Sequence, residues 1–122
     1  MKILVVEDDP TVGPYVKRGL EEHQNHVDLV DDGLEALRLA SGGLYDLLVL
    51  DLRLPGMDGF EVTRRIKSDP QHAGTRIIAM TGYYEGEVAQ RVVELGALLC
   101  LQKPFSPDDL RRALAKAGVE IH

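Results

Sequence analysis

Five short apolar runs punctuate the chain, at Ile3 to Val6, Val27 to Val30, Leu47 to Leu50, Ile77 to Met80 and Leu98 to Leu101. Between them lie segments with helical spacing, such as Leu34, Leu37 and Ala40, or Val88, Val92 and Leu95. A strand followed by a helix, repeated in this way, predicts a parallel sheet covered by helices on both faces. The first and third runs are continuously apolar, as central strands are, whereas His26-Val27-Asp28-Leu29-Val30 mixes in polar residues, as an edge strand does. The expected architecture is therefore a doubly wound five-stranded α/β sandwich with strand order 2-1-3-4-5, of the flavodoxin-like type. In such sheets ligands bind beyond the carboxyl ends of the strands, where the winding reverses. Here that crevice lies between the first and third strands.

Several helix starts are signposted. Asp32 precedes Glu35, Asp58 precedes Glu61, and Ser106 precedes Pro107 and Asp109, all patterns of N-caps and capping boxes. Asp31 and Asp32 follow the edge strand and are read as caps of the second helix. Asp9-Pro10 resembles a cap with proline in the first turn, but Pro14 would disturb the next turn, so an irregular start is expected there. With 122 residues and 44% hydrophobic content, residues 1–122 fit one domain with its own core. The strand at Met1 reads as a native start and favours a stand-alone protein, while residues 119–122 fit either a tail or the start of a linker.

Composition narrows the function classes. The only cysteine, Cys100, cannot form an internal disulfide and reads as a small buried apolar residue; no leader precedes the first strand, which predicts a cytoplasmic protein. No apolar run approaches the roughly 18 residues needed to cross a bilayer. A net charge of −6 opposes binding to a phosphate backbone, so no direct nucleic-acid contact is expected. The basic residues Arg64, Arg65, Lys67, Arg111 and Arg112 fall in helical segments and read as solvated faces.

The residues at the central strand ends are Glu7 and Asp8, Asp51, Thr81 and Lys103. Three carboxylates in one crevice repel one another, and a hard cation held by oxygen ligands, magnesium rather than zinc, relieves that repulsion. His23, His26, His72 and His122 lack ligand spacing and read as surface histidines. A carboxylate beside a cation is a nucleophile toward phosphorus. Asp51, at the centre, is then the acceptor, with the Lys103 ammonium and the Thr81 hydroxyl placed to meet phosphoryl oxygens.

Four strings carry a resemblance: Val5-Val6-Glu7-Asp8-Asp9-Pro10, Leu50-Asp51-Leu52-Arg53-Leu54-Pro55-Gly56-Met57-Asp58-Gly59, Met80-Thr81-Gly82 and Lys103-Pro104-Phe105. Their order and their places at strand ends resemble the receiver domains of two-component response regulators, over nearly the whole chain. The resemblance implies that Asp51 accepts a phosphoryl group from the phosphohistidine of a sensor histidine kinase or histidine phosphotransfer protein. It further implies that Glu7, Asp8 and Asp51 serve Mg2+, Glu7 through water, with the backbone carbonyl of Arg53 completing the set. Lys103 and Thr81 match the phosphate-contacting lysine and the switch hydroxyl, the Lys103-Pro104 bond is expected to be cis, and Asp9 is left as a helix cap. Output is expected through the face formed by helix 4, strand 5 and helix 5, where Gly86 loosens the start of helix 4. Such a domain is not an enzyme beyond its own phosphorylation and dephosphorylation at Asp51.

One departure stands out. Receiver domains commonly carry an aromatic residue three positions before the lysine, and here that position is Cys100. Tyr83 and Tyr84 are candidates to replace it as the moving readout. Arg53 and Tyr83 flank the site and would set phosphoryl lifetime. The competing reading, a phosphatase or phosphotransferase with an aspartyl intermediate, calls for an acidic residue two positions after the nucleophile, where this chain has Arg53. A flavodoxin-like nucleotide binder calls for a glycine-rich loop after strand 1, where Glu7 and Asp8 would repel phosphate.

Overall fold

The computed structural model describes residues 1–22, 24–43, 45–82 and 86–119. Strands and helices alternate along these residues: β1 (Lys2–Val6), α1 (Val12–Glu21), β2 (His26–Val30), α2 (Gly33–Gly42), β3 (Leu47–Asp51), α3 (Gly59–Ser68), β4 (Arg76–Thr81), α4 (Gly86–Glu94), β5 (Leu99–Gln102) and α5 (Pro107–Lys116). All neighbouring strands pair in parallel and stand in the order β2-β1-β3-β4-β5. This is the predicted topology. Asp51 and Thr81 prove to be the last residues of their strands rather than the first beyond them.

Alternation along the strands divides the core in two. Ile3, Val5, Val49, Ile78 and Met80 face one way and meet Val16 and Leu20 of α1 and Leu110 and Leu114 of α5. Leu4, Val6, Leu48, Leu50, Ile77 and Ala79 face the other way and meet Ala36 of α2, Val62 and Ile66 of α3 and Val92 of α4. Every residue of β3 is buried, as a central parallel strand requires.

The caps form where the sequence places them. Asp32 accepts from the Glu35 amide, Asp58 from the Glu61 amide, and Ser106 with Asp109 closes a full capping box. Glu35 and Glu61 do not complete boxes of their own, because their carboxylates are taken by Arg38 and by Arg64 and Arg65. The start of α1 is irregular as expected, but the helix opens at Val12, two residues later than Asp9-Pro10 implied. The Asp9 carboxylate accepts from the Thr11 and Val12 amides, so the irregular turn at residues 10–11 precedes the helix. Pro14 then falls within the first turn, where no amide has an intrahelical partner to lose.

Three side chains depart from their predicted settings. His72 is buried rather than at the surface. Lys67 is no solvated lysine: its ammonium donates to the Thr75 and Ala73 carbonyls and closes the turn between α3 and β4. Cys100 is half-buried rather than fully buried, because β5 is an edge strand. Val119, in contrast, packs into the core, and the Arg76 guanidinium donates to the Ala117 carbonyl two residues before it.

Candidate functional site

At the carboxyl edge of the sheet, β1, β3 and β4 end side by side. Val6 pairs with Leu50, and Asp51 pairs with Met80, so the residues just past them share one crevice. Glu7 continues β1 and is held there by its amide, which donates to the Val30 carbonyl. The Lys103 amide donates to the Thr81 carbonyl at 2.8 Å, which brings the lysine stem over the end of β4. The Lys103-Pro104 peptide is cis, as expected.

The result is a buried acidic pocket with a cation in it. Glu7 and Asp51 are 3% and 5% exposed, whereas Asp8 faces solvent. Carboxylate oxygens of all three lie within 4.8 Å of one another. The Lys103 ammonium donates to the Asp51 carboxylate at 3.1 Å and also to the Glu7 carboxylate. Sequence reasoning had assigned Lys103 only to a future phosphoryl oxygen; its contact with Glu7 has no signal in a linear string, because 96 positions separate the pair.

Burial raises the Glu7 carboxyl to about 7, aided by the hydrogen bond it shares with Asp51 and opposed by the one from Lys103. For Lys103, burial works against the charge, but the contacts with Glu7 and Asp51 outweigh it and hold the ammonium above its ordinary value. Fixed amides complete the frame: Asp9 N–H donates to Glu7, and Arg53 N–H donates to Asp51 Oδ1 at 3.2 Å. Thr81 is buried at the end of β4, and Arg53 is exposed above Asp51. Asp31 does not join the pocket's three carboxylates. Tyr83, Tyr84, His23 and His122 lie outside the described residues.

One position that shapes the crevice escaped the sequence reading. Gly59 opens α3 so close to Asp51 that a Cβ there would stand 2.5 Å from the Asp51 carbonyl oxygen and 2.7 Å from Leu52 Cα. Its amide donates to the Leu52 carbonyl, and the Leu52 amide donates to that of Met80. The Asp58-Gly59 dipeptide was visible as a helix start, but nothing in it told of the close approach.

A donor set of three carboxylates, two buried and one exposed, suits a hard divalent cation that keeps some of its waters. A buried carboxylate on a strand end beside an ammonium is equally suited to carry a phosphoryl group.

The response regulator receiver domain family matches residues 3–115, and the chain belongs to it. The transcriptional regulatory protein TcrA of Mycobacterium tuberculosis H37Rv is 42% identical, over 97% of this chain and 47% of its own length. The signal receiver domain of a DNA-binding response regulator from Colwellia psychrerythraea 34H superposes with a TM-score of 0.89 at 31% identity, covering 98% of this chain and 99% of that one. The receiver domain of a sensor histidine kinase from Pseudomonas aeruginosa PAO1, solved with a magnesium ion coordinated in its active site cleft, gives a TM-score of 0.85 at 32% identity, covering 96% of this chain and 97% of that one. The chain spans about half the length of the transcriptional regulators it matches. No helix among the described residues is long and apolar enough to cross a membrane.

Proposed function

We propose that residues 1–122 act as one cytoplasmic receiver unit that takes a phosphoryl group on Asp51 from the phosphohistidine of a sensor histidine kinase or histidine phosphotransfer protein. The observation that carries this reading is the buried Asp51 carboxylate at the end of β3, 3.1 Å from the Lys103 ammonium and grouped with Glu7 and Asp8. An Asp51 oxygen attacks phosphorus in line as the bond to the donor imidazole breaks, and the imidazole leaves with a proton from solvent. Glu7, Asp8, Asp51 and the Arg53 carbonyl would hold Mg2+, which supplies positive charge for the phosphoryl oxygens.

The chain's own residues do the rest. Lys103 exchanges a carboxylate partner for a phosphoryl oxygen, which needs only rotation of its stem. The Thr81 hydroxyl donates to another oxygen. Arg53, exposed beside the acceptor, screens the product from water and so affects its lifetime. The added charge, about −1.5 to −2, displaces an equilibrium already present in the protein. Output passes through α4, β5 and α5; the exposure of Val93 on α4 and of Leu98 just before β5, each 45%, supports a partner surface on that face. The chain has no turnover beyond its own phosphorylation and dephosphorylation, and it makes no nucleic-acid or membrane contact itself.

The test is incubation with a small acyl phosphate and Mg2+, followed by intact-mass measurement. One added phosphoryl group is expected, not formed when the metal is chelated before the donor is added and absent in Asp51→Ala. An unmodified protein under conditions that label another receiver domain would count against the reading, as would modification that survives Asp51→Ala.

A further inference from the structure

Phe60, the second residue of α3, is fixed to the acceptor loop. Gly59 before it packs on the Asp51 carbonyl and bonds to Leu52, and the Asp58 cap holds the same turn. The ring is partly buried against the core cluster that also receives Val88 and Val92 of α4 and Cys100 of β5. The Arg91 guanidinium of α4 lies over this ring, its central carbon 4.3 Å from the centroid.

Most helix arginines of the protein pair differently. Arg38, Arg64, Arg65, Arg111 and Arg112 each pair with a carboxylate on the preceding turn of their own helix. Arg91 has Glu87 and Glu94 at helical spacing, yet among the described residues it forms no ion pair and takes the aromatic face instead. Glu94 is left to Gln90.

We propose that Arg91 and Phe60 are positioning residues that form a joint between the Asp51 loop and α4. The inference rests on the phospho-acceptor reading above. With Asp51 unmodified, the cation–π contact holds α4 against α3. When the acceptor loop adjusts to a group on Asp51, the ring moves with Gly59, the contact weakens and α4 is released. The coupling is reciprocal: releasing α4 must strengthen binding of the group at Asp51 by the same factor. A contact of this kind at a part-exposed site corresponds to a population change of about two- to fivefold.

Amide chemical shifts of the full chain, titrated with beryllofluoride and Mg2+ as a phosphoryl mimic, provide the test. In Arg91→Gln and in Phe60→Leu, the α4 amides of the unliganded protein are expected to move toward their liganded wild-type positions, and the mimic is expected to bind about two- to fivefold more tightly. Phe60→Tyr, which keeps the ring, should match wild type. The double variant Arg91→Gln/Phe60→Leu should do no more than either single change, since both remove one contact. Wild-type shifts and affinity in both single variants would overturn the joint, and so would effects that add in the double variant. If the wild-type amides around Asp51 ignore the mimic, the functional reading falls and takes the joint with it. If they respond while Arg91→Gln behaves as wild type, only the joint falls.

Discussion

Lys103 carries the electrostatics of the site, since it is the cation that both buried carboxylates contact. Lys103→Met leaves Glu7 and Asp51 without that counter-charge, and metal-free protein is expected to lose about 2 kcal/mol or more in urea denaturation. Added Mg2+ should restore more stability to the variant than to the wild type. Far from the crevice, the Tyr45 hydroxyl donates to Asp28 at 2.6 Å. This bond, more than the nearby His26 and Lys2, holds the Asp28 carboxyl below its ordinary 3.8. A depressed carboxyl stabilises the fold above its ordinary value, and the contribution disappears as pH falls through the folded value. Tyr45→Phe should therefore cost about 1 kcal/mol at neutral pH, allowing for the solvent around Asp28, and the difference from wild type should shrink in acid. Burial first, and Asp28 second, push Tyr45 up to about 12, so wild-type stability should also decline as pH rises from about 10 toward that value. Thermal melts across pH measure both limbs.

Among the elements, α3 packs its first residue against the Asp51 backbone, and two neighbouring residues there act differently. Asp58→Ala removes one cap bond and is expected to cost about 1 kcal/mol with Asp51 still phosphorylated at a near-normal rate. Gly59→Ala forces the Asp51–Leu52 backbone to move and should cost about 1 to 3 kcal/mol while also slowing phosphorylation. Urea melts with mass-detected phosphorylation separate the two. The difference shows what a sequence can convey. Caps depend on residues three apart and were legible at Asp32, Asp58 and Ser106. The constraint on Gly59 depends on where another strand ends, and the setting of Lys67 depends on a turn that folds back under it. The start of α1 was misplaced for a related reason: Asp9 caps from two residues ahead of Thr11, and proline in a first turn looks the same in sequence whether it opens a helix or follows its start.

For the whole molecule, the strand order followed from the contrast between the apolar β1 and β3 and the mixed β2, because burial on two faces leaves no polar positions. The half-burial of Cys100 was less legible, since its apolar neighbours concealed an edge position. The two-sided core makes a contrast that can be measured. Leu48→Ala, at a fully buried position of β3, is expected to cost about 2 to 5 kcal/mol, whereas Leu34→Ser, at a residue 57% exposed, should stay within about 0.5 kcal/mol. Equilibrium unfolding with unchanged denaturant slope would bear this out. The order in which the site's groups leave the ribosome also has a consequence. Glu7, Asp8 and Asp51 are made first, and the lysine that reconciles them arrives 96 positions after Glu7. An unfinished chain would hold the three carboxylates without the ammonium that Glu7 and Asp51 contact. On the proposed reading, competence to receive a phosphoryl group is deferred until synthesis has passed β5.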